Sequence, residues 1–396
     1  MSKKFYTYSY ILMIIGYVLD YSRNFSSLGA ALKYSCAFFL LSSLITEKIQ
    51  FKKYTSLFGL LLPFFVLPLT LIILGKYDIA TSSVLIYSSL YILFVLLTIS
   101  VIEFFPSTLF FCKVTNFSIF IPLMANVIIS GEFSLNIQQM ILNMIGNTRI
   151  DRAVLGFSNP NSAGLIATMG LVIVISQFLY RKFTILNIAC AVFYLLVIIN
   201  TGSRTALFSP FIALLILGTV SELSKISGKI RIVLICFVGS ATILYFYYAL
   251  LSKGLNFDFD SLNKLTSYRF ERQIATLKYL SANDLLMWGV GNINSTGLYS
   301  SSVGPFLNTD NSPIYFIVTI GVVGFCQVAG ILIWILSKLT LNNKVGFLCF
   351  LIMIITSLFE HTLFVSTSLF SLLFLGIIYI SINEKSTLVA FEGEKL

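Results

Sequence analysis

Charged residues are scarce in this 396-residue chain, where they make up 11% of the sequence against 57% for apolar residues. An ordinary soluble domain carries about 25% charged and about 45–50% apolar residues. A chain this poor in charge lacks the polar surface that so much apolar material needs in water, which excludes a soluble protein. No stretch is polar enough to form a separate soluble domain, so we expect residues 1–396 to form a single integral membrane domain.

Residues that support several particular chemistries are also missing. His361 is the only histidine, which excludes a histidine-rich metal site. No G-x-x-x-x-G-K-[ST] run is present to cradle nucleotide phosphates, which excludes an ATP-driven pump. The six cysteines all lie inside apolar runs, and this placement favours small packing residues over a disulfide framework.

Long apolar runs are what the sequence has in abundance. They predict an all-α polytopic membrane protein with about 12 transmembrane helices, since about 20 apolar residues suffice to cross a bilayer. The predicted spans are 5–19, 27–45, 55–74, 82–103, 107–130, 162–180, 183–200, 205–220, 231–251, 313–337, 345–359 and 362–382. Lys3 and Lys4 precede the first span, but no small-residue cleavage site follows, so we expect a retained anchor rather than a signal peptide.

The distribution of cations predicts the orientation of these spans. If the N-terminus is cytoplasmic, twelve spans return the C-terminus to the cytoplasm, and lysine concentrates on that side. The net charge of +10 then reflects membrane topology, and no nucleic-acid partner is expected. The two sizeable loops, 131–161 and 251–312, are both extracytoplasmic in this topology. Loops of that length are usually functional, so chemistry or recognition is expected on the outer face.

Arginine departs from the bias that lysine follows, because most arginines lie on the outer side. The planar guanidinium group binds phosphate through two hydrogen bonds and stays charged when half buried. Arg204 lies at the mouth of a span with no acid nearby in the sequence, which makes it a candidate site residue. Arg269 and Arg272 lie in residues 261–280, whose apolar spacing predicts an amphipathic helix on the outer membrane interface. Three positions apart, they share a helix face and are able to converge on one phosphate group; a solvated helix face is the alternative.

Three stretches on the predicted outer side carry a family resemblance. They are Arg152-Ala-Val-Leu-Gly-Phe-Ser-Asn-Pro-Asn-Ser-Ala-Gly, then Thr201-Gly-Ser-Arg-Thr-Ala, and a third that runs from Arg269 through Trp288-Gly-Val-Gly and Thr309-Asp-Asn-Ser-Pro-Ile-Tyr to Gly321-Val-Val-Gly. In order and spacing they resemble the O-antigen polymerase and ligase superfamily of bacterial envelope glycosyltransferases, and the Wzy-type O-antigen or capsular polysaccharide polymerases in particular. The resemblance covers residues 130–330, and the first five spans match only in hydropathy.

This resemblance implies a GT-C-like membrane fold and an enzyme of the bacterial cytoplasmic (inner) membrane. The substrate in this family is an oligosaccharide linked through diphosphate to undecaprenol, bound at the outer leaflet of the lipid bilayer. The glycan is transferred with inversion, without a metal or nucleotide cofactor. By analogy with the family, the expected protein partner is a chain-length regulator.

The resemblance also assigns roles to individual residues. Arg204 matches the family's Ser-Arg arginine at a span mouth, and either Arg269 or Arg272 matches the arginine of the large outer loop. Asp310 and Asn311 align with a His-Asn pair that ligases carry, and the Asp at the His position favours a polymerase. We therefore expect the three arginines to bind the diphosphate and Asp310 to orient or deprotonate the acceptor hydroxyl.

The remaining candidate substrate-binding residues are Arg152, Asn161, Asn311, Trp288, Glu360 and His361. Trp288 either stacks on a sugar ring or anchors the chain at the membrane interface. Glu360 is a second outer carboxylate, and His361 acts either as an acid or base or as an interfacial packing residue. The Asn159-Pro160-Asn161 run either forms a plain turn into the sixth span or also shapes the site.

Two other functions remain open at this stage. A ligase would transfer a finished glycan onto another acceptor, and a transporter or lipid-linked-oligosaccharide flippase would place a polar site near the bilayer midplane. The sequence has no internal repeat that would support a transporter. Its only mid-span charge is Lys33, whose side chain is able to snorkel to the membrane surface.

Overall fold

The apolar runs fold into helices, because a helix satisfies its own backbone hydrogen bonds, as a lipid environment requires. The computed structural model describes residues 3–46, 54–76, 81–134, 152–223, 269–291, 311–339, 343–366 and 368–393. The helices in these ranges are α1 (Lys3–Asp20), α2 (Ser26–Thr46), α3 (Thr55–Ile73), α4 (Thr81–Phe104), α5 (Thr108–Ser130), α6 (Pro160–Leu179), α7 (Ile185–Thr201), α8 (Arg204–Leu223), α9 (Arg269–Ala282), α10 (Ser312–Lys338), α11 (Lys344–Ser357) and α12 (Leu369–Gly393).

Helices α2 to α6 and α10 are long and apolar enough to cross a membrane. Helices α7, α8, α11 and α12 are apolar over shorter lengths. Within the described ranges, β-structure is limited to an isolated bridge between Ser22 and Phe157. The prediction of an all-α membrane protein is confirmed. Of the amphipathic helix predicted over 261–280, residues 261–268 lie outside the described residues, and the remainder is helical as part of α9 (Arg269–Ala282).

The predicted spans coincide with helices except at two places. The ninth, 231–251, lies outside the described residues. The twelfth is predicted to begin at residue 362, but α12 begins only at Leu369. Residues 358–366, which we call the α11–α12 segment, therefore lie between the last two helices instead of within one.

Two serine hydroxyl groups hold the α11–α12 segment in its non-helical path. Ser312 Oγ, at the start of α10, accepts hydrogen bonds from the backbone amides of Thr362 and Leu363 at 3.1 and 3.0 Å. Ser371 Oγ donates to the Thr362 carbonyl at 2.5 Å and accepts from the Val365 amide at 3.2 Å. These side chains satisfy buried backbone groups that a helix would otherwise pair internally, which explains the late start of α12.

Helices α1 and α2 pack closely at two glycines, Gly16 of α1 and Gly29 of α2. A Cβ on Gly29 would lie 2.2 Å from the backbone nitrogen of Asp20, so the crossing requires glycine. Lys33 of α2 is 5% exposed and forms an ion pair with Asp20 at the end of α1. Its ammonium group also lies 4.6 Å from the ring centre of Tyr34. The charge of Lys33 is thus paired with the carboxylate of Asp20 at the end of α1.

One end of the helix bundle is joined by contacts to Glu384 of α12. Its carboxylate accepts hydrogen bonds from the backbone amide and hydroxyl of Thr108 at 2.7 and 2.6 Å, and from the hydroxyl of Tyr180 at 3.3 Å. The predicted topology assigns all three of these residues to the cytoplasmic side. The start of α5 and the end of α6 therefore meet Glu384 of α12, as the predicted alternation of spans requires.

Helix α10 is interrupted at Gly321, whose φ of 68° and ψ of −177° are not helical. Residues 286–291, which we call the docked segment, bond to the backbone groups that the break releases. The amides of Val290 and Gly291 donate to the carbonyls of Val318 and Thr319 at 2.7 and 2.9 Å, and the amides of Val322 and Val323 donate to the carbonyls of Leu286 and Met287 at 3.0 and 3.3 Å. The Trp288-Gly-Val-Gly and Gly321-Val-Val-Gly motifs are thus the two sides of one backbone contact.

Candidate functional site

The chain before α6 is held in place by contacts to two other parts of the protein. The amide of Arg23 donates to the Gly156 carbonyl at 2.9 Å, next to the bridge between Ser22 and Phe157. The carboxylate of Glu132 accepts hydrogen bonds from the amides of Val154 and Leu155 at 3.0 and 2.6 Å. These bonds fix the path of residues 152–158, and with it the position of Arg152.

Arg152 joins the first two motif stretches. Its Nε donates to the carbonyl of Thr201, the last residue of α7, at 2.8 Å. Its Nη2 donates to Oδ1 of Asn161 in the first turn of α6 at 2.7 Å. The planar fork of the guanidinium group suits two acceptors that lie in different directions, so Arg152 connects the ends of two helices.

The turn that leads to Arg204 packs directly on the start of α6. Gly202 ends α7 with a φ of 57°, a left-handed conformation that favours glycine. A Cβ on Gly164 of α6 would lie 2.7 Å from the Cβ of Ser203, so the backbones approach closely. Arg204, the first residue of α8, therefore begins its helix beside the Arg152 and Asn161 pair.

Glu360 links the third stretch to the first. Its Oε1 accepts a hydrogen bond from Asn161 Nδ2 at 3.2 Å and lies 3.9 Å from Arg269 Nη2. Arg269 Nη1 also donates to the carbonyl of Phe359 at 2.7 Å. The side chains of Arg269 and Glu360 are 24% and 17% exposed, so the pair is largely shielded from solvent. We call Arg152, Asn161, Thr201, Arg269 and Glu360 the Glu360 network.

The electrostatic setting of the Glu360 network favours anions. Asn161 lies in the first turn of α6, Arg269 begins α9, and Ser312, which begins α10, donates through Oγ to the Glu360 carbonyl at 3.2 Å. The start of a helix carries a partial positive charge and backbone amides that bind phosphates and carboxylates. The Glu360 carboxylate itself contacts Asn161 and Arg269, while Ser312 bonds to its backbone carbonyl and Arg152 reaches it only through Asn161.

His361 lies next to this network but is a neutral packing group. Its ring rests against that of Tyr315, with centroids 3.7 Å apart, and its Nε2 is buried without a hydrogen-bond partner. Burial lowers the pKa of His361 to about 4, so the imidazole is uncharged near pH 7. In this position it contributes packing and not a cation; a role in substrate binding stays a prediction.

The other predicted site residues have other surroundings. Asp310 lies outside the described residues. Asn311 caps α10, with its side-chain oxygen accepting from the Ile314 amide at 2.9 Å. Trp288, 39% exposed, lies in the docked segment, and Arg272 is half-buried one turn after Arg269 in α9.

The structure separates the two readings of the Asn159-Pro160-Asn161 run. Asn159 forms the turn, because its side chain caps α6 by accepting from the Asn161 amide at 2.9 Å. The side chain of Asn161 belongs instead to the Glu360 network. Sequence reasoning missed Glu132, Thr201 and Ser312. For Ser312 a signal exists in the Asn-Ser-Pro start of α10, where a polar side chain before proline is typical of a helix N-terminus.

No protein-family model matches the chain, and no curated protein matches its sequence. The function is therefore inferred from the motifs and from the contacts that join them.

Proposed function

We propose that the chain is a glycosyltransferase that polymerises undecaprenyl-diphosphate-linked repeat units into surface polysaccharide at the outer leaflet of a bacterial cytoplasmic membrane. In this proposal the chain crosses the bilayer about a dozen times, in a GT-C-like arrangement with both termini in the cytoplasm. One observation carries it: the three motif stretches, separate in sequence, meet in the Glu360 network through Arg152, Asn161 and Arg269.

The chemistry of the proposed reaction needs cations beside the leaving group. The acceptor hydroxyl oxygen forms a bond to the anomeric carbon of the donor, the bond from that carbon to the diphosphate breaks, and its electron pair stays on the diphosphate. Fixed guanidinium groups in a poorly hydrated site stabilise that developing charge. Arg204, Arg269 and Arg272 serve this role in the proposal, while Asp310 accepts the proton of the acceptor hydroxyl.

Two features favour polymerisation over the alternatives. Asp310 occupies the position at which the resembling ligases carry histidine. Lys33, the mid-span charge that a transporter reading invokes, is neutralised by Asp20 within the α1–α2 pair. Of the cations of the proposed site, Arg204 and Arg269 are instead the first residues of α8 and α9, which the proposed topology assigns to one membrane face.

The proposal is tested by reconstituting the full-length protein in liposomes with a lipid-linked repeat unit and measuring polymer length. Arg204→Ala is expected to lower the polymerisation rate by about 100-fold or more, the usual cost of removing one group that stabilises developing charge. Arg23→Ala is the matched control, because Arg23 is exposed and its backbone amide makes its contact to Gly156. Full-length polymer from Arg204→Ala at normal expression would contradict the proposal.

A further inference from the structure

The carboxylate of Glu360 lies where the surroundings suit a more strongly charged anion. It faces Asn161 of α6 and Arg269 of α9, and the start of α10 touches its backbone through Ser312. The contacts to Asn161 and Arg269 involve the same oxygen, Oε1, at 3.2 and 3.9 Å. The longer distance to Arg269 is loose for a charge-assisted hydrogen bond, which is normally about 2.7–2.9 Å.

The amide of Asn161 is oriented toward this position by Arg152. Because Arg152 Nη2 donates to Asn161 Oδ1 at 2.7 Å, the Asn161 NH2 group must point the other way, toward Glu360. Arg152 is itself held by the Thr201 carbonyl at 2.8 Å. A hydrogen-bond donor is thus fixed in place before any ligand binds, and such preorganisation lowers the cost of binding.

We propose that the position of the Glu360 carboxylate is a phosphate subsite, into which one phosphate of the lipid diphosphate binds after the Glu360 side chain rotates away. This inference rests on the proposed function and locates one end of its substrate. The phosphate then accepts hydrogen bonds from Asn161 Nδ2 and Arg269, and Glu360 competes with the substrate for these partners.

Hydrogen bonds hold the backbone of Glu360 on both sides of its Cα. The Glu360 amide donates to the Thr356 carbonyl at 2.9 Å, and its carbonyl accepts from Ser312 Oγ at 3.2 Å. Rotation about the side-chain bonds is therefore enough to vacate the subsite. The lipid-linked diphosphate carries about one negative charge on each of its two phosphates, so as a whole it is more strongly charged than a carboxylate and forms more charge-assisted hydrogen bonds with arginine and amide donors.

The experiment measures binding of inorganic pyrophosphate and of undecaprenyl diphosphate by calorimetry, with the full-length protein in a maltoside detergent that carries no phosphate. Glu360→Gln keeps an acceptor oxygen for Asn161 but removes the competing charge. The dissociation constant is expected to fall by about tenfold or more, since like charges held together cost several kcal/mol. Asn161→Asp places a new carboxylate at the subsite and is expected to weaken binding by about tenfold.

Glu271→Gln is the matched control, because it removes the same charge from an exposed position in the first turn of α9. Its effect on affinity is expected to stay below about twofold at physiological salt, where exposed charges are screened. Unchanged or weaker binding by Glu360→Gln, while the wild type binds, overturns the subsite alone. Absence of binding to both ligands by the wild type overturns the subsite and the proposed function together.

Discussion

At the scale of single residues, His361 makes the candidate site sensitive to acid. Its ring is enclosed against Tyr315, and burial lowers its pKa from the ordinary 6.5 to about 4. Between these two values the unfolded chain binds a proton that the folded chain does not. Stability therefore rises with pH through this window, is complete above pH 6.5, and is lost as the pH falls toward 4.

Thermal unfolding in detergent tests this linkage. The free energy of unfolding of the wild type is expected to fall by about 3 kcal/mol at most between pH 6.5 and pH 4 because of His361. His361→Phe keeps a ring against Tyr315 but has no titrating group, so its melting temperature is expected to fall less over the same range. Parallel curves for the two proteins would show that His361 does not carry the effect.

The same scale shows what the sequence reveals about the site and what it does not. Asn161 and Glu360 are recognisable as candidates because they lie at predicted span ends on the outer side, and Arg152 and Arg269 because they are arginines in the two predicted outer loops. The pairing of Arg269 with Glu360 is not predictable, since local acids such as Glu271 are equally plausible partners in the sequence. Which residues meet depends on how distant helices pack, and hydropathy carries no information about that.

At the scale of elements, the break in α10 determines where α9 lies. The docked segment follows α9 and is bonded to both sides of the Gly321 break. Leu280 of α9 and Val290 of the docked segment are buried together with Val84 and Val318. Because α9 carries Arg269, the backbone contact at Gly321 helps to hold that guanidinium group beside Glu360.

Gly321→Ala is expected to release the docked segment. The new Cβ would lie 2.1 Å from the Met287 carbonyl oxygen, and the backbone conformation of Gly321 suits glycine alone. The strain is expected to cost about 1–3 kcal/mol, measured as a lower melting temperature, and trypsin is expected to cleave faster at Arg269 and Arg272. Gly330→Ala on the same helix is the control, because its Cβ meets nothing within 4 Å. Equal cleavage rates in the two variants would contradict the role given to Gly321.

Helix positions are largely predictable from hydropathy, whereas interruptions are not. The predicted spans locate α1 to α8, α10 and α11 because each of these helices forms from an apolar run, and α2 to α6 and α10 are long enough to cross lipid. The break at Gly321 and the late start of α12 depend on hydrogen bonds from the docked segment and from Ser312 and Ser371. Partners so far away in the chain leave no periodic signal in the segment that they interrupt.

At the scale of the whole molecule, the contacts divide the helix ends into two groups. Glu384 of α12 bonds to the start of α5 and the end of α6, while the Glu360 network joins the starts of α6 and α9 with the end of α7. Helix α6 takes part in both groups through opposite ends. The two groups therefore lie at opposite ends of the bundle, which is what spans of alternating direction produce.

The proposed reaction fixes which end faces outward, because undecaprenyl-diphosphate-linked repeat units are polymerised at the outer leaflet. A cysteine at Ser281, exposed near the end of α9, is expected to react with a membrane-impermeant maleimide in intact cells. A cysteine at Ser337, exposed near the end of α10, is expected to react only after the membrane is permeabilised. The unmodified protein sets the background, because Cys326 in α10 is exposed while Cys36, Cys112, Cys190 and Cys349 are buried. The reverse labelling pattern would place the arginines in the cytoplasm, where a cation cluster cannot reach a diphosphate on the outer leaflet, and a polymerase would then be excluded.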